Sequence, residues 1–335
     1  MLTIRDIARK GGVSTATVSR VLNNSGYVRK DVRDRVIKII EENNYSPSAT
    51  ARSLSRQETN IIGVIVPSIN NPFFAEALEG VTKIVDKNNL TLIYYDTQED
   101  REKEERALAM VSEQRVRGLI FTPSSANGKA DFQELKSMLT SVDVPVVLFD
   151  RPIPDSNFDG VYFDGYSGSY QAVKALIANG HKKIANITCD LNVKILADRF
   201  RGYKQALTDH GIKVDDRYIF ISDSYLESSY RLALKMLAMK DPPTAVHTSN
   251  NDTTLGFLKA VTQMGLKIPD DIAFVGFDKL QVLEDIGVHY SFVDRDVEKM
   301  GEVAMDLLLK RIKEKKRQKE EIIFPPVLVM NGSEK

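Results

Sequence analysis

Residues 3–43 constrain the fold most, because they combine two short helical patterns with a sharp turn. Residues 3–10 carry apolar side chains three and four positions apart, as on one side of a helix. The glycine pair at 11–12 permits a tight turn, and Ser14 is placed to cap a second helix over residues 15–23. This order of a short helix, a turn and another short helix is typical of a helix-turn-helix unit.

The predicted second helix has one apolar face and one small, polar face. Val18, Val21 and Leu22 form the apolar face, and a third helix at about residues 31–43 would cover the open side of the unit. The polar face suits insertion into a DNA major groove. A generic three-helix bundle with a polar surface would show the same pattern. The outward-facing residues are Thr15, Ala16, Ser19, Arg20 and Asn23.

The segment at residues 45–54 has too little apolar surface to form a stable helix alone. After Pro47 it consists of small and polar residues, and Leu54 is the one large apolar side chain among them. Such a segment is expected to become ordered only on a partner. Minor-groove-binding proteins wedge leucines between base steps and so kink the duplex. The segment therefore indicates a second DNA contact.

Together these motifs resemble the lactose/galactose repressor family of bacterial transcription regulators. The resemblance is carried by TIRDIARKGGVSTATVSRVLNN at residues 3–24 and by YSPSATARSL at residues 45–54, and it spans almost the entire chain. It implies a homodimer on double-stranded palindromic operator DNA, with paired hinge helices in the minor groove. The DNA-binding residues that it implies are Thr3, Ser14, Thr15, Ala16, Thr17, Ser19, Arg20, Asn23, Ala51, Arg52 and Leu54.

Composition narrows the class of protein further. The 335 residues are enough for two or three domains, and 42% hydrophobic residues are enough for packed cores. No apolar run reaches the length of a membrane span, and no signal-peptide pattern precedes the first helix. Cys189 is the single cysteine, and the four histidines are widely spaced. These features predict a soluble cytoplasmic protein with no membrane contact, no metal and no cofactor.

Charge is distributed unevenly along a chain whose net charge is zero. Residues 1–60 hold 11 Lys and Arg against 6 Asp and Glu, an excess of +5, and the remainder holds 35 against 40, an excess of −5. A basic head on an acidic body is expected when only the head meets phosphates.

From residue 61 onward, apolar runs of strand length alternate with helical patterns. The first is the continuous run at residues 61–67, and the alternation restarts at about residue 161. Strands that are apolar on both faces and alternate with helices indicate a parallel α/β sheet. The predicted fold class is therefore α/β, with an N-terminal helix-turn-helix headpiece and two doubly wound parallel-sheet lobes like those of periplasmic binding proteins.

The resemblance implies that the final segments cross back to the first lobe and then return to the second, through crossings near residues 160, 293 and 322. The predicted domains are a DNA-binding head at 1–47, a hinge helix and linker at 48–60, a first lobe at 61–160 plus 294–321, and a second lobe at 161–293 plus 322–335.

Polar and aromatic residues cluster where the predicted strands end, which is where open α/β sheets bind ligands. Carboxylates, amides and arginines can bond sugar hydroxyls, and aromatic rings can cover the C–H faces of a sugar. Asp150 and Asp278 could instead cap helices or loops, and Phe74 could belong to the core. Carried over from the family, the effector-binding residues are Asn71, Phe73, Phe74, Asp150, Arg151, Arg199, Asn251, Asp278 and Arg295.

Among the positions that depart from the family pattern, two bear on the chemistry of the effector. Val193 stands where purine-binding relatives have a polar residue, which argues against a purine corepressor. Arg295 stands where relatives commonly offer Gln. A buried cation requires a counterion, so either a carboxylate such as Asp294 or Asp296 neutralises Arg295, or the ligand carries an anion. We favour the anionic ligand, a sugar acid or a sugar phosphate.

The sequence thus predicts an allosteric DNA-binding regulator, a repressor of a carbohydrate-use operon, controlled by a small carbohydrate effector. A sugar-binding protein without a DNA role and a sugar-modifying enzyme are the alternatives. The head motif disfavours the first. The sequence contains no phosphate loop, no GxSxG elbow and no metal-binding cluster, which disfavours the second.

Overall fold

The computed structural model describes residues 2–22, 24–43, 45, 59–124, 129–223, 225–314 and 316–335. The chain divides into two compact units, residues 1–60 and residues 61–335. Among the described residues, no helix combines the length and the apolar character needed to cross a bilayer.

The first unit is a small three-helix domain, as predicted. Its helices are α1 (Ile4–Gly11), α2 (Thr15–Leu22) and α3 (Lys30–Glu42). Thr3 and Asp6 form a reciprocal capping box at the start of α1, and Gly12 adopts φ +62° in the turn before α2. The buried core comprises Ile7, Ala8, Val18, Val21 and Val36.

The first lobe of the second unit contains a parallel sheet. Its strands are β1 (Ile61–Val66), β2 (Thr91–Asp96), β3 (Gly118–Phe121), β4 (Val146–Phe149), β5 (Asp159–Phe163) and β11 (Glu321–Phe324). They lie in the order β11-β5-β4-β3-β1-β2, and each neighbouring pair is parallel. The helices of this lobe are α4 (Pro72–Lys87), α5 (Arg101–Glu113), α6 (Lys129–Ser141) and α12 (Val297–Lys313).

The second lobe repeats this architecture. Its strands are β6 (Ile184–Thr188), β7 (Ile219–Ile221), β8 (Ala245–Thr248), β9 (Ala273–Phe277), β10 (Ser291–Asp294) and β12 (Val327–Val329), in the order β12-β10-β9-β8-β6-β7. Only β12 runs antiparallel, against β10, among these described strands. Its helices are α7 (Gly165–Ala178), α8 (Lys194–Asp209), α9 (Leu226–Leu237), α10 (Asn251–Gln263) and α11 (Gln281–Asp285). The predicted fold of two doubly wound lobes is confirmed.

The predicted lobe boundaries at 160/161, 293/294 and 321/322 need correction. β5 was assigned to the second lobe from residue 161 onward, but it pairs with β4 and β11 in the first sheet up to Phe163. β11 continues to Phe324 in the same sheet, and β10 continues to Asp294 in the second. The chain therefore crosses after Phe163, after Asp294 and after Phe324. An apolar run shows that a strand exists but not which sheet it joins, because pairing partners are distant in sequence.

Helix α12 packs tightly on α4 and so fixes the second crossing to the first lobe. A Cβ atom at Gly80 would lie 1.9 Å from the carbonyl oxygen of Glu298, and one at Gly301 would lie 2.1 Å from that of Ala77. The two helix backbones approach closely only because both positions lack a side chain. This contact positions the segment immediately before α12, which carries Arg295.

Candidate DNA-reading face and effector cleft

The outer face of α2 presents the residues that the sequence predicted. Thr15, Ala16 and Arg20 are exposed, whereas Val18 and Val21 are buried beneath them. A small face with one long cation can approach base edges closely. Of the other predicted residues in this unit, Thr3 and Ser14 are exposed, whereas Thr17 and Ser19 are half-buried.

The predicted cap of α2 is present. The Ser14 hydroxyl accepts a hydrogen bond from the Thr17 amide at 3.1 Å, which caps α2. Arg29 precedes α3 and makes no capping hydrogen bond, pairing instead with Asp31.

Tyr27 is 87% exposed. It lies between α2 and α3 and was missed by the sequence analysis, since a lone tyrosine in a turn carries no periodic signal.

Four of the predicted DNA-binding residues lie outside the described residues: Asn23, Ala51, Arg52 and Leu54. Their roles remain predictions.

In the second unit, two aspartates from opposite lobes converge on one arginine. Asp150 follows β4 and Asp278 follows β9, and both adopt left-handed backbone conformations with φ of +62° and +71°. Asp278 accepts from Arg295 Nε at 2.5 Å and from Nη2 at 2.6 Å. Asp150 accepts from Arg295 Nη1 at 3.4 Å. All three side chains are buried.

This arrangement corrects the predicted partners of Arg295. The Asp294 side chain accepts only the backbone amide of Arg295, and Asp296 caps α12 by accepting from the Lys299 amide. The counterions are instead Asp278 and Asp150, which were themselves predicted to bind effector. Neither caps a helix. Arg295 therefore has its counterions within the chain and does not by itself require an anionic ligand.

Amide side chains form a second contact across the cleft. Asn71 caps α4 by accepting from the Phe73 amide at 3.1 Å, and it also accepts from Asn251 Nδ2 at 3.1 Å. Asn251 is the first residue of α10 on the second lobe, and its Oδ1 atom is buried with no described partner. Asn250, which precedes it, caps this helix by accepting from the Thr253 amide.

Phe73 and Phe74, adjacent at the start of α4, are both buried in the core of the first lobe. For Phe74 this agrees with the alternative interpretation that it belongs to the core. Phe73 stacks on Phe149 with ring centroids 5.7 Å apart, and the Arg295 guanidinium lies over it at 3.9 Å from its centroid. Phe277, which precedes Asp278, was missed by the sequence analysis although it directly contacts Arg199.

Arg199 is a buried cation on α8 of the second lobe. Its Nη1 donates to the Ser249 carbonyl at 2.5 Å, and its guanidinium lies 3.7 Å from the Phe277 ring centroid. Its Nε atom has no partner within the described part of the chain. Burial, and then the charge of Arg295, lower the pKa of Arg199 to about 10. Among the described residues no carboxylate is bonded to this guanidinium.

Arg151 is engaged mainly within the first lobe. Its two Nη atoms donate to Glu99 at 2.9 and 2.7 Å, and Nη1 also donates to the Pro123 carbonyl. Burial by itself would lower the pKa of Arg151, but the hydrogen bonds and charge of Glu99 outweigh it and raise that pKa. Its side chain borders a small cavity lined from both lobes, with Val193 on the far side. Val193 packs with Cys189 and Leu196.

Several hydroxyls at the carboxyl ends of strands have no hydrogen-bond partner. The Oγ1 atoms of Thr122, after β3, and Thr188, at the end of β6, are buried and unpartnered within the described residues. Their positions could have been selected from the sequence, since each lies at the carboxyl end of an apolar strand. Across the same ranges, no group of three His, Cys, Asp or Glu side chains is gathered for a metal ion.

A small helical domain with a polar reading helix, joined to a two-lobed α/β core with a polar cleft, defines a ligand-responsive DNA-binding regulator. Residues 3–48 match the model described as bacterial regulatory proteins, lacI family. Residues 59–331 match the model described as periplasmic binding proteins and sugar binding domain of LacI family. The chain belongs to the LacI family.

Relatives extend over the full chain. It is 33% identical to the ribose operon repressor of Haemophilus influenzae, over 99% of this chain and 98% of that one. It is 33% identical to the transcriptional repressor PurR of Vibrio vulnificus, over 100% and 99%. A solved structure titled transcriptional regulator CelR-cellobiose complex aligns with a TM-score of 0.74 and 25% identity, over 99% of this chain and 100% of that one. The protein is therefore a LacI-family DNA-binding repressor with an effector domain of the sugar-binding type.

Proposed function

We propose that this repressor controls a carbohydrate-use operon as a cytoplasmic homodimer on a palindromic operator, and that a sugar-type effector binds between its two lobes. The head residues on α2 would read base edges in the major groove, and residues 48–60 would form the paired hinge helices, with Leu54 in the minor groove. Effector binding would change the angle between the lobes and so the spacing of the two hinges.

One observation carries the effector site: within the described residues, several buried polar atoms that line or border the cleft have no hydrogen-bond partner. The Nε of Arg199, the Oδ1 of Asn251 and the Oγ1 of Thr188 are examples on the second lobe. A buried polar atom without a hydrogen bond is costly, and a polyol supplies several donors and acceptors at once. The names of two relatives, a ribose operon repressor and a regulator solved with cellobiose, favour the same class of ligand.

We further propose that the effector carries an anionic group, a carboxylate or a phosphate. The basis is Arg199 and no longer Arg295, because Arg295 already has two carboxylate partners. Arg199 is buried, and its guanidinium is bonded only to a neutral carbonyl in the described structure. An anion on the ligand would supply the missing counterion, and the planar guanidinium bonds carboxylates and phosphates through paired hydrogen bonds.

A thermal-shift screen of matched pairs tests both statements. Each pair contains a sugar and its acid or phosphate, for example galactose with galacturonate and glucose with gluconate or glucose 6-phosphate. A ligand at 100 times its Kd stabilises the folded chain by about 2.7 kcal/mol, which shifts the melting temperature measurably. We expect a shift with one acid or phosphate and none with its neutral partner.

Operator binding is then measured with each hit, by anisotropy of a labelled duplex. A hit that raises or lowers the affinity for operator DNA is identified as an effector. A shift with a neutral sugar alone would reject the anionic group and keep the carbohydrate class. A response only to purine bases would reject the carbohydrate class, and turnover of a hit would favour the enzyme alternative.

A further inference from the structure

Arg295 lies at the centre of the cleft, bonded to both lobes. Its Nε and Nη2 form a bidentate pair with Asp278 of the second lobe. Its Nη1 reaches Asp150 of the first lobe at 3.4 Å. Its guanidinium covers the ring of Phe73, also of the first lobe, at 3.9 Å from the ring centroid. One side chain thus makes contacts that a bound ligand would make.

The surroundings of this guanidinium match those expected for a sugar ring. Two carboxylates face its edge, and the rings of Phe163 and Phe277 lie 5.7 and 5.6 Å away, in addition to Phe73. A cleft that binds a carbohydrate offers an aromatic face to one side of the sugar ring and carboxylates to its hydroxyl groups. The guanidinium of Arg295 occupies such a position. A ligand ring cannot stack on Phe73 while Arg295 covers it.

We propose that Arg295 is a built-in occupant of the effector site, which holds the two lobes closed when no effector is present. The statement rests on the proposed location of the effector site, since it names what the effector must displace. The 3.4 Å contact to Asp150 is longer than the pair with Asp278 and is the one that crosses between the lobes. The effector enters between Asp150 and Arg295, and Arg295 stays attached to Asp278.

The position of Arg295 in the chain explains how it acts on lobe closure. It lies directly between β10 of the second lobe and α12 of the first, at a point where the chain crosses. Without this guanidinium, Asp150 and Asp278 would face each other in a buried site as like charges with no hydrogen-bonded cation between them, which disfavours closure. The left-handed conformations of both aspartates hold their carboxylates towards it.

The test measures the distance between the lobes in the full-length chain without effector or DNA. Spin labels are placed on Gln133→Cys and Asn192→Cys, two exposed positions on opposite lobes beside the cleft cavity, in a Cys189→Ser background. Labelled chains are diluted with unlabelled chains so that a dimer rarely holds two labelled chains. Pulsed electron paramagnetic resonance then reports the distance within one chain. The variants are Arg295→Gln, which removes the cation, and Asp150→Asn, which keeps an acceptor and tolerates the backbone conformation.

We expect the mean distance to rise by more than about 2 Å in Arg295→Gln, the scale of a hinge rearrangement, and by less in Asp150→Asn. Arg311→Gln is the matched control, because Arg311 forms a comparable bidentate pair with buried Asp159 inside the first lobe. It should lower the melting temperature and leave the distance unchanged. The proposal is overturned if Arg295→Gln folds with the wild-type distance, or if Asp150→Asn does so where Arg295→Gln fails to fold. Neither result depends on which effector the protein binds.

Discussion

The guanidinium of Arg199 lies over the ring of Phe277, 3.7 Å from its centroid, and no carboxylate among the described residues is hydrogen-bonded to it. A cation on an aromatic face is stabilised only in part, and burial opposes it. Binding of an anionic ligand therefore favours arginine at position 199, whereas the stability of the folded chain disfavours a buried cation there.

Replacing Arg199 by Met should remove the response to an anionic effector without lowering the stability of the folded chain. We expect the free energy of unfolding to stay equal to wild type or to rise by about 1–4 kcal/mol, because a buried charge without a hydrogen-bonded carboxylate is removed. The thermal shift and the operator response to an anionic effector should be lost. Arg201→Met, two residues along the same helix at an exposed ion pair, is the control and should keep both responses. A full response in Arg199→Met would place the anion elsewhere.

Arg20 is the one long cation on the exposed face of α2 within the described structure, and it should contact a base edge, preferably guanine. Arg20→Ala is expected to weaken specific operator binding by about 1–3 kcal/mol and nonspecific binding by less. Titration of operator and scrambled duplexes at one salt concentration measures the difference. Arg9→Ala, an exposed arginine on α1, should leave discrimination unchanged. If Arg20→Ala discriminates as well as wild type, the base contact is wrong.

Leu54 lies outside the described residues, and its prediction rests on the hinge motif. If its side chain wedges between base steps, Leu54→Ala should reduce both operator affinity and operator bending and leave the effector core folded. Gel mobility of permuted fragments measures the bend, and the melting temperature of the free protein serves as the folding control. Unchanged bending would make Leu54 an ordinary linker residue.

His247 should make the second lobe sensitive to acid. Its Nδ1–H donates to the Val275 carbonyl, and its Nε2 is bonded to the Ser169 hydroxyl, which can donate to the neutral ring. Burial lowers the pKa of His247 to about 4, below the usual 6.5. As pH falls, His247 is protonated in the unfolded chain before it is protonated in the folded one. Its contribution to the free energy of unfolding is therefore fully present above pH 6.5 and decreases towards pH 4.

The expected loss is about 3 kcal/mol over that interval. Urea denaturation of wild type and His247→Gln between pH 7.5 and 4, about the range in which the ring titrates, measures it. The variant should be less stable at neutral pH and should depend less on pH. His289→Gln, at an exposed position, should reproduce the wild-type slope. Equal slopes in wild type and His247→Gln would contradict the prediction.

Sequence patterns located the helices and strands because their signals are local. Ser14 stands directly before a helix that its hydroxyl caps, and Val18 and Val21 are both buried on the face that their spacing selected. The lobe assignment of β5 was wrong because the sheet that a strand joins depends on partners elsewhere in the chain. Gly160 of β5, for example, pairs with Glu321.

The partners of Arg295 show the same limit at the candidate site. Neighbouring Asp294 and Asp296 were the carboxylates visible from local sequence, but Asp278 and Asp150 bond to the guanidinium from 17 and 145 residues away. The polar residues at strand ends could be selected because a parallel sheet gathers them at one edge. Which of them pair with each other, and so are not free for ligand, depends on side-chain geometry that no spacing rule contains.

The three crossings between the lobes also set the order in which the protein can fold as it is made. The first sheet needs β11, which ends at Phe324, and the helix α12 that packs on Gly80 begins only at Val297. Neither lobe is thus complete until nearly the whole chain has left the ribosome, whereas the head is finished within the first 60 residues. At about 5–20 residues per second, a folded DNA-binding domain would precede its own control domain by more than ten seconds.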